Sequence, residues 1–296
     1  MTRPAEPHPL HEFEIDTRLV RALLAEQHPD LAELDLRRAG AGWDNAMVRL
    51  GDHLAVRLPL RALAVPLIAH EQRWLPQLAR TLPVAVPVPV RIGRPSPLFP
   101  APWSVVPWLT GTGADTVPVA DRTAWAATLG HALAALHAPA PDDAPHNPYR
   151  GVTLASREQT VRPRLATAPD AEVLLAAWDD GVAAPTWDGP ALWVHGDPHP
   201  ANLLIEGGRL AALLDFGDLS SGDPACDLAT CWLTFDAAGR SAFRSALPAV
   251  DRDTWRRAAA WAAVMVSALR RHPHDFPRLD EIGRHATAAL AADPPR

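Results

Sequence analysis

With 296 residues, 48% of them hydrophobic, the chain is long and apolar enough to bury a substantial core and to fill two lobes. A formal net charge of −6 argues against a nucleic-acid partner, whose phosphates demand a basic face. Cys226 and Cys231 are too few for a disulfide framework and lack metal-ligand spacing, so they read as core residues.

Up to Asp16 the chain mixes prolines with charges, which does not read as a signal peptide. A helix is expected over 16–27, capped by Asp16, with Val20, Leu23 and Leu24 on one apolar face. Strands are expected over 34–38, 46–50 and 53–58, with Gly51-Asp52 turning the chain between the last two. The stretch Ala39-Gly40-Ala41-Gly42-Trp43-Asp44-Asn45 then links the first two strands. Its glycines suit a mobile loop that offers backbone N–H groups to phosphate, and Asn45 is a better side-chain contact there than Asp44, whose charge would repel it. Leu67, Ile68, Trp74 and Leu75 recur with helical periodicity around Glu71 and Arg73. Two more strands, 88–93 and 103–106, complete a small antiparallel sheet, and Pro107-Trp108-Leu109-Thr110-Gly111 leaves it.

Beyond that point helical patterns dominate. One covers 121–137 and stops at Pro139-Ala140-Pro141; others cover 156–165, 170–178, 237–246, 251–271 and 279–291. The longest apolar run, 258–269, is bounded by arginine pairs and is far short of the roughly 20 residues a membrane span needs, so it reads as a buried helix. Asp179, Asp180, Asp218 and Asp236 read as caps or surface groups, with substrate contact as the alternative for each.

The most informative segment is Val194-His195-Gly196-Asp197-Pro198-His199-Pro200-Ala201-Asn202, followed by Leu214-Asp215-Phe216-Gly217. Apolar-rich runs 203–206 and 209–214 flank Gly207-Gly208, a pair suited to a two-residue turn with positive φ. If Glu206 pairs with Arg209, Asn202 falls opposite Leu213 and Asp215 lies just beyond the same end of the hairpin. An Asn and an Asp brought together this way suit magnesium, which takes few protein oxygens when a nucleotide supplies the rest. Asp197, in the preceding loop, is left to face a substrate hydroxyl. A base, then an Asn, then an Asp-Phe-Gly is the order in which kinases lay out a phosphoryl-transfer centre. His199 has no metal partner at a persuasive spacing and reads as loop packing.

These residues resemble the aminoglycoside phosphotransferase family of small-molecule kinases, in which His-Gly-Asp stands where protein kinases carry His-Arg-Asp. The match extends through Gly222-Asp223-Pro224 and Asp227-Leu228-Ala229, through Pro148-Tyr149-Arg150-Gly151, and more weakly over most of the chain. The resemblance implies an α+β, bilobal protein-kinase-like fold, with a small antiparallel β-sheet lobe over 1–108 and a larger, mainly α-helical lobe over 109–296. It implies a cytoplasmic phosphotransferase that uses an alcohol group as acceptor, with Mg2+ and ATP or GTP. Asp197 would be the catalytic residue and Asn202 and Asp215 the metal ligands. His195 would orient the catalytic loop, and Asp227 would accept backbone donors there or cap the following helix. An aminoglycoside-like antibiotic is the first acceptor implied; a sugar, amino alcohol or homoserine-like hydroxyl, or a non-catalytic nucleotide-binding role, are the alternatives.

The chain contains no lysine, so the phosphate-holding Lys that kinases place on the third small-lobe strand is absent. Arg57, in Ala55-Val56-Arg57-Leu58, takes its position, with Glu71 as the expected partner. An arginine there keeps the charge and changes the geometry of phosphate contact. An exposed strand arginine without a ligand is the alternative. The segment around Trp108 and Leu109 corresponds to the hinge, where a purine would meet backbone groups. Leu109 is the expected donor, because Pro107 has none, and Trp108 either stacks on the base or packs at the junction.

Overall fold

The computed structural model describes residues 11–41 and 44–293. Gly42 and Trp43 of the expected phosphate loop lie outside the described residues. The chain divides into two compact units. One holds the described residues up to Thr81, with Ala85–Thr110 and Asp215–Gly217; the other holds Leu82–Val84, Gly111–Leu214 and the described residues from Asp218 onward.

The first unit opens with helix α1, Thr17–Gln27, whose N-cap Asp16 accepts the N–H of Leu19 at 2.7 Å. Strands β1 (Leu36–Ala41), β2 (Asn45–Leu50) and β3 (Leu54–Pro59) follow, then helix α2 (Val65–Leu78) and strands β4 (Arg91–Gly93) and β5 (Trp103–Pro107). They form one antiparallel sheet in the order β1-β2-β3-β5-β4. β1 starts two residues later than its pattern suggests because Leu34 closes a turn, its N–H donating to Leu31 O at 3.2 Å. The apolar face of α1 packs with Leu50, Val56, Leu58, Trp103 and Val105 in a single core. Gln72 of α2 donates to Trp103 O at 2.9 Å and to Ser104 Oγ at 3.0 Å, tying the helix to β5.

The second unit is mostly helical. In chain order it contains β6 (Thr112–Gly113), α3 (Ala126–Leu136), α4 (Leu154–Ala166), α5 (Ala171–Ala183), β7 (Leu192–Val194), β8 (Leu203–Glu206), β9 (Arg209–Leu213) and β10 (Ser220–Gly222). Helices α6 (Ala225–Leu228), α7 (Thr230–Thr234), α8 (Ala237–Ser245), α9 (Arg252–Leu269) and α10 (Pro277–Ala292) complete it. The apolar run in α9 is buried, and it packs so closely on α5 that a Cβ on Gly181 would lie 2.4 Å from Ala260 Cβ. Cys226 and Cys231 are free thiols in this core, fully buried.

The expected helix over 121–137 is corrected to α3 alone. Val119–Trp125 winds as a 3-10 helix, and Trp125, at φ −120° and ψ 8°, breaks the run before α3 begins. Buried Arg122 holds that turn, donating to Val117 O at 2.9 Å and to Thr234 O at 3.2 Å. Helix propensity is overridden there by one side chain that satisfies several carbonyls. The short helices α6 and α7 and strands β6, β7 and β10 are too brief to show a period in the sequence.

Candidate active site

β8 and β9 form the expected hairpin, with Glu206 opposite Arg209 and both turn glycines at positive φ, 56° and 74°. Its register differs from the sequence expectation by one residue. A bulge at Ala211 shifts the pairing, so Leu203 rather than Asn202 stands opposite Leu213. Ala212 and Leu213, on opposite faces of β9, are both buried. Asn202 instead accepts the N–H of Leu214 at 2.8 Å, and Asp215 is the next residue in the chain.

The loop from His195 to Asn202 is held from beneath by α6 and α7. Asp227, fully buried, accepts the N–H groups of His195 at 2.8 Å and Gly196 at 2.7 Å, and His137 Nε2 lies 3.0 Å from the same carboxylate. Cys226 Sγ approaches Gly196 O at 3.6 Å and Thr230 donates to Pro198 O at 2.6 Å. His195 receives the N–H of Asp197 at Nδ1, 3.2 Å away, which leaves Nε2 to donate to Leu214 O at 2.8 Å. The loop and the end of β9 are thereby joined through one imidazole. Asn202 donates from Nδ2 to Asp197 O at 2.9 Å, which fixes which end of its amide carries the outward oxygen.

Asp197 is not left open to substrate alone, as the sequence suggested. Its carboxylate lies 3.4 Å from His199 Nε2 and 3.9 Å from Arg150 Nη2. Because His199 Nδ1 accepts the Ala201 N–H at 3.2 Å, its neutral ring carries the proton on Nε2 and aims it at Asp197. Burial pushes the Asp197 pKa up, but His199, Arg150 and His195 outweigh it and hold the group well below the usual carboxylate range. Arg150 also pairs with Asp218 at 3.1 Å, and its stem lies against Gly196. These roles of His199 and Arg150 were missed in the sequence. The only available signal was that both sit inside segments already resembling the family.

In the first unit, Arg57 stands on β3 with its side chain 9% exposed, so it is not an exposed strand arginine. Its Nη2 is 3.1 Å from Glu71 Oε1 and 2.8 Å from Asp215 Oδ1. Burial pulls the guanidinium pKa down, yet Glu71 and Asp215 together raise it above its ordinary value. Glu71 moves the opposite way from a surface pair. Its burial dominates, and the carboxyl is pushed up to about 7 although Arg57 opposes this. Asp215 adopts a left-handed φ of 57°, which short Asp side chains tolerate, and stays 54% exposed.

Three other expectations need adjustment. Asn45 is not a loop residue: it opens β2, pairs with Pro59 and is 8% exposed, so its side chain is enclosed and does not reach out to phosphate. Asp44 is paired with Arg61. The backbone N–H of Trp108 donates to His53 O at 2.7 Å, and the guanidinium of Arg49 lies over its ring at 4.8 Å. One face of that ring is therefore taken, and Leu109 beside it is half-buried.

Residues 35–261 match the model of the phosphotransferase enzyme family, APH. The chain belongs to that family. It is a phosphotransferase with an alcohol group as acceptor, and it has the α+β kinase-like fold that the motif implied. No curated protein matches it in sequence. Its fold is similar to that of the GDP and kanamycin complex of APH(2")-IIIa, at 18% identity over 93% of this chain and 99% of that one, with a TM-score of 0.70. It is also similar to macrolide 2'-phosphotransferase MphH from Brachybacterium faecium, at 25% identity over 94% and 98%, TM-score 0.60. A third likeness is to the streptomycin–ATP ternary complex of APH(2")-IIa, at 16% identity over 90% and 91%, TM-score 0.54. Among the described residues no helix of this phosphotransferase is long and apolar enough to cross a membrane.

Proposed function

We propose that the chain transfers the γ-phosphoryl group of ATP or GTP to a hydroxyl of a small molecule, with magnesium as cofactor and Asp197 as the catalytic residue. The observation that carries this reading is the anchoring of Asp197 in a loop whose backbone is pinned by Asp227, His195 and Asn202. Such anchoring is what a reaction driven by alignment needs. With its pKa held low, Asp197 is ionised at neutral pH and accepts a hydrogen bond from the acceptor O–H. The hydroxyl oxygen bonds to the γ-phosphorus as the bond to the nucleoside diphosphate oxygen breaks. Its proton passes to Asp197 late, once the oxygen has become acidic.

Asn202 and Asp215 are the candidate magnesium ligands. Both offer oxygen, the hard donor magnesium takes. Asn202 has its amide nitrogen committed, and Asp215 keeps a largely exposed carboxylate at the next position after Leu214. Magnesium, when bound, would neutralise phosphate charge. Arg57, held by Glu71, would contact the phosphates, with Leu109 as a backbone partner for the base. The nucleotides bound by the relatives support a nucleotide donor.

The family resemblance puts an aminoglycoside-like antibiotic first among acceptors. One observation favours the second reading, a metabolic hydroxyl compound. The acidic residues that could meet a polycation are already engaged: Asp179 pairs with Arg162, Asp180 with Arg256, Asp218 with Arg150, and Asp236 caps α8. A screen of magnesium-dependent nucleotide consumption across antibiotics and metabolites tests the proposal. Acceptor-dependent consumption that Asp197→Ala abolishes supports it, and transfer that survives that change removes its centre.

A further inference from the structure

The segment that delivers Arg150 to Asp197 also builds a second feature. Asn147 receives the Tyr149 N–H at 2.8 Å and donates to Asp218 at 2.9 Å, so the turn is fixed at both ends. It leaves Tyr149, the chain's only tyrosine, 58% exposed. The guanidinium carbon of Arg157, in the first turn of α4, lies 4.9 Å from the centre of that ring. Arg164 follows seven residues later, two helical turns on, and so shares the same face of α4.

Arg157 and Arg164 differ from the other arginines around them. Arg150 is paired with Asp218 and Asp197, and Arg162 takes both Glu158 and Asp179. Among the described residues, no carboxylate pairs with Arg157 or Arg164, and the enclosed Nε of each has no hydrogen-bond partner. A buried donor left without a partner is costly, and more so when it is charged. Burial first, and then the neighbouring guanidinium groups, makes both harder to keep protonated than an ordinary arginine. An anion at the accessible edge of either guanidinium relieves the burial and like-charge penalties, though not the enclosed Nε. Stacking on Tyr149 restrains the Arg157 guanidinium, whose planar edge suits two-point recognition of a carboxylate or phosphate.

We propose that Tyr149, Arg157 and Arg164 form a recognition face for an anionic acceptor, one that carries a carboxylate or phosphate group beside the hydroxyl that is phosphorylated. The proposal rests on the phosphoryl-transfer reading and narrows its substrate class. Tyr149 adjoins Arg150, whose guanidinium reaches Asp197, so an acceptor could present its anion to Arg157 and its hydroxyl to Asp197. The same face repels a polycation.

The test uses the full chain with magnesium and nucleotide. A panel of hydroxy acids and sugar phosphates, each matched to its neutral amide or unphosphorylated form, is assayed for transfer and titrated by calorimetry, with kanamycin as the polycation. The expected result is a hydroxy acid or a sugar phosphate, the two arms telling carboxylate from phosphate, that is used with a KM about tenfold or more below its neutral counterpart. Arg157→Ala raises that KM by about tenfold and leaves the nucleotide KM unchanged, and Arg157→Lys recovers part of the loss. The proposal is overturned if a neutral or cationic member is bound as tightly as its anionic match, if no anionic member binds, or if Arg157→Ala has no effect on the acceptor KM. Phosphorylation of kanamycin in place of the anions sinks this inference alone. Failure of magnesium-nucleotide to bind sinks the phosphoryl-transfer reading beneath it.

Discussion

Arg57 Nη2 lies 3.1 Å from Glu71 Oε1, and the two side chains are only 9% and 5% exposed. The pair is close without being a well-aligned hydrogen bond, since Glu71 Oε1 and Arg57 Nε both remain without a hydrogen-bond partner. In a chain without lysine, this is the charge available on β3 to meet phosphate. Arg57→Ala is expected to lower kcat/KM for nucleotide by about ten- to hundredfold. It is expected to destabilise the fold by about 1–3 kcal/mol, a modest cost because the abandoned Glu71 can take up a proton. Arg57→Lys tests geometry against charge. Steady-state kinetics with varied nucleotide read all three proteins, and unchanged kinetics in Arg57→Ala would make the arginine a bystander.

The same pair sets a pH dependence. A carboxyl raised from 4.5 to about 7 holds, in the folded state, a proton that the unfolded chain has already released. Stability therefore falls as pH rises from 4.5 toward 7 and is level above that window. Melting temperatures of wild type and Glu71→Gln should diverge across it, with wild type losing more on the way up. Superimposable profiles would show that Glu71 does not titrate there.

Asp227 supports the loop that carries Asp197. Asp227→Ala strands two buried N–H groups and should cost about 2–5 kcal/mol. Asp227→Asn keeps an acceptor and should fold, with kcat reduced more than the nucleotide KM. Denaturant unfolding and kinetics together decide this, and a variant of full activity would deny Asp227 its positioning role.

Gly196 has φ 88°, and a Cβ there would come within 2.7 Å of both Cβ and the carbonyl oxygen of Asp218. This explains why a glycine stands where protein kinases have arginine. Gly196→Ala should destabilise by about 1–3 kcal/mol and lower kcat. Gly207→Ala is a matched control: its φ is 56° and its Cβ would meet nothing within 4 Å, so a smaller loss of about 1–2 kcal/mol is expected from backbone strain alone. Equal losses in the two variants would remove the steric argument.

The legible parts of this chain are those whose signal is local. The Asp16 cap, the Gly207-Gly208 turn and the long helices follow from side chains acting on their own neighbours. The pairing of Arg57 with Glu71 was reachable because the motif named the fold and the fold named the strand. The bulge at Ala211 was not legible, since two adjacent alanines carry no sign of which is extra. Arg150 and Thr230 meet the loop that carries Asp197 only through tertiary packing, so no spacing in the sequence reveals them. The arginine face of α4 was hidden for the same reason: pairing decides which of many arginines remains without a carboxylate.

The central claim is that an anchored Asp197 directs phosphoryl transfer. Asp197→Asn keeps the size of the side chain and removes its charge, so turnover of an acceptor found in the nucleotide-consumption screen can be measured beside magnesium-nucleotide affinity. The account predicts a fall in kcat of about 100- to 10,000-fold with nucleotide affinity changed only a few-fold. Turnover at the wild-type rate in Asp197→Asn would contradict it.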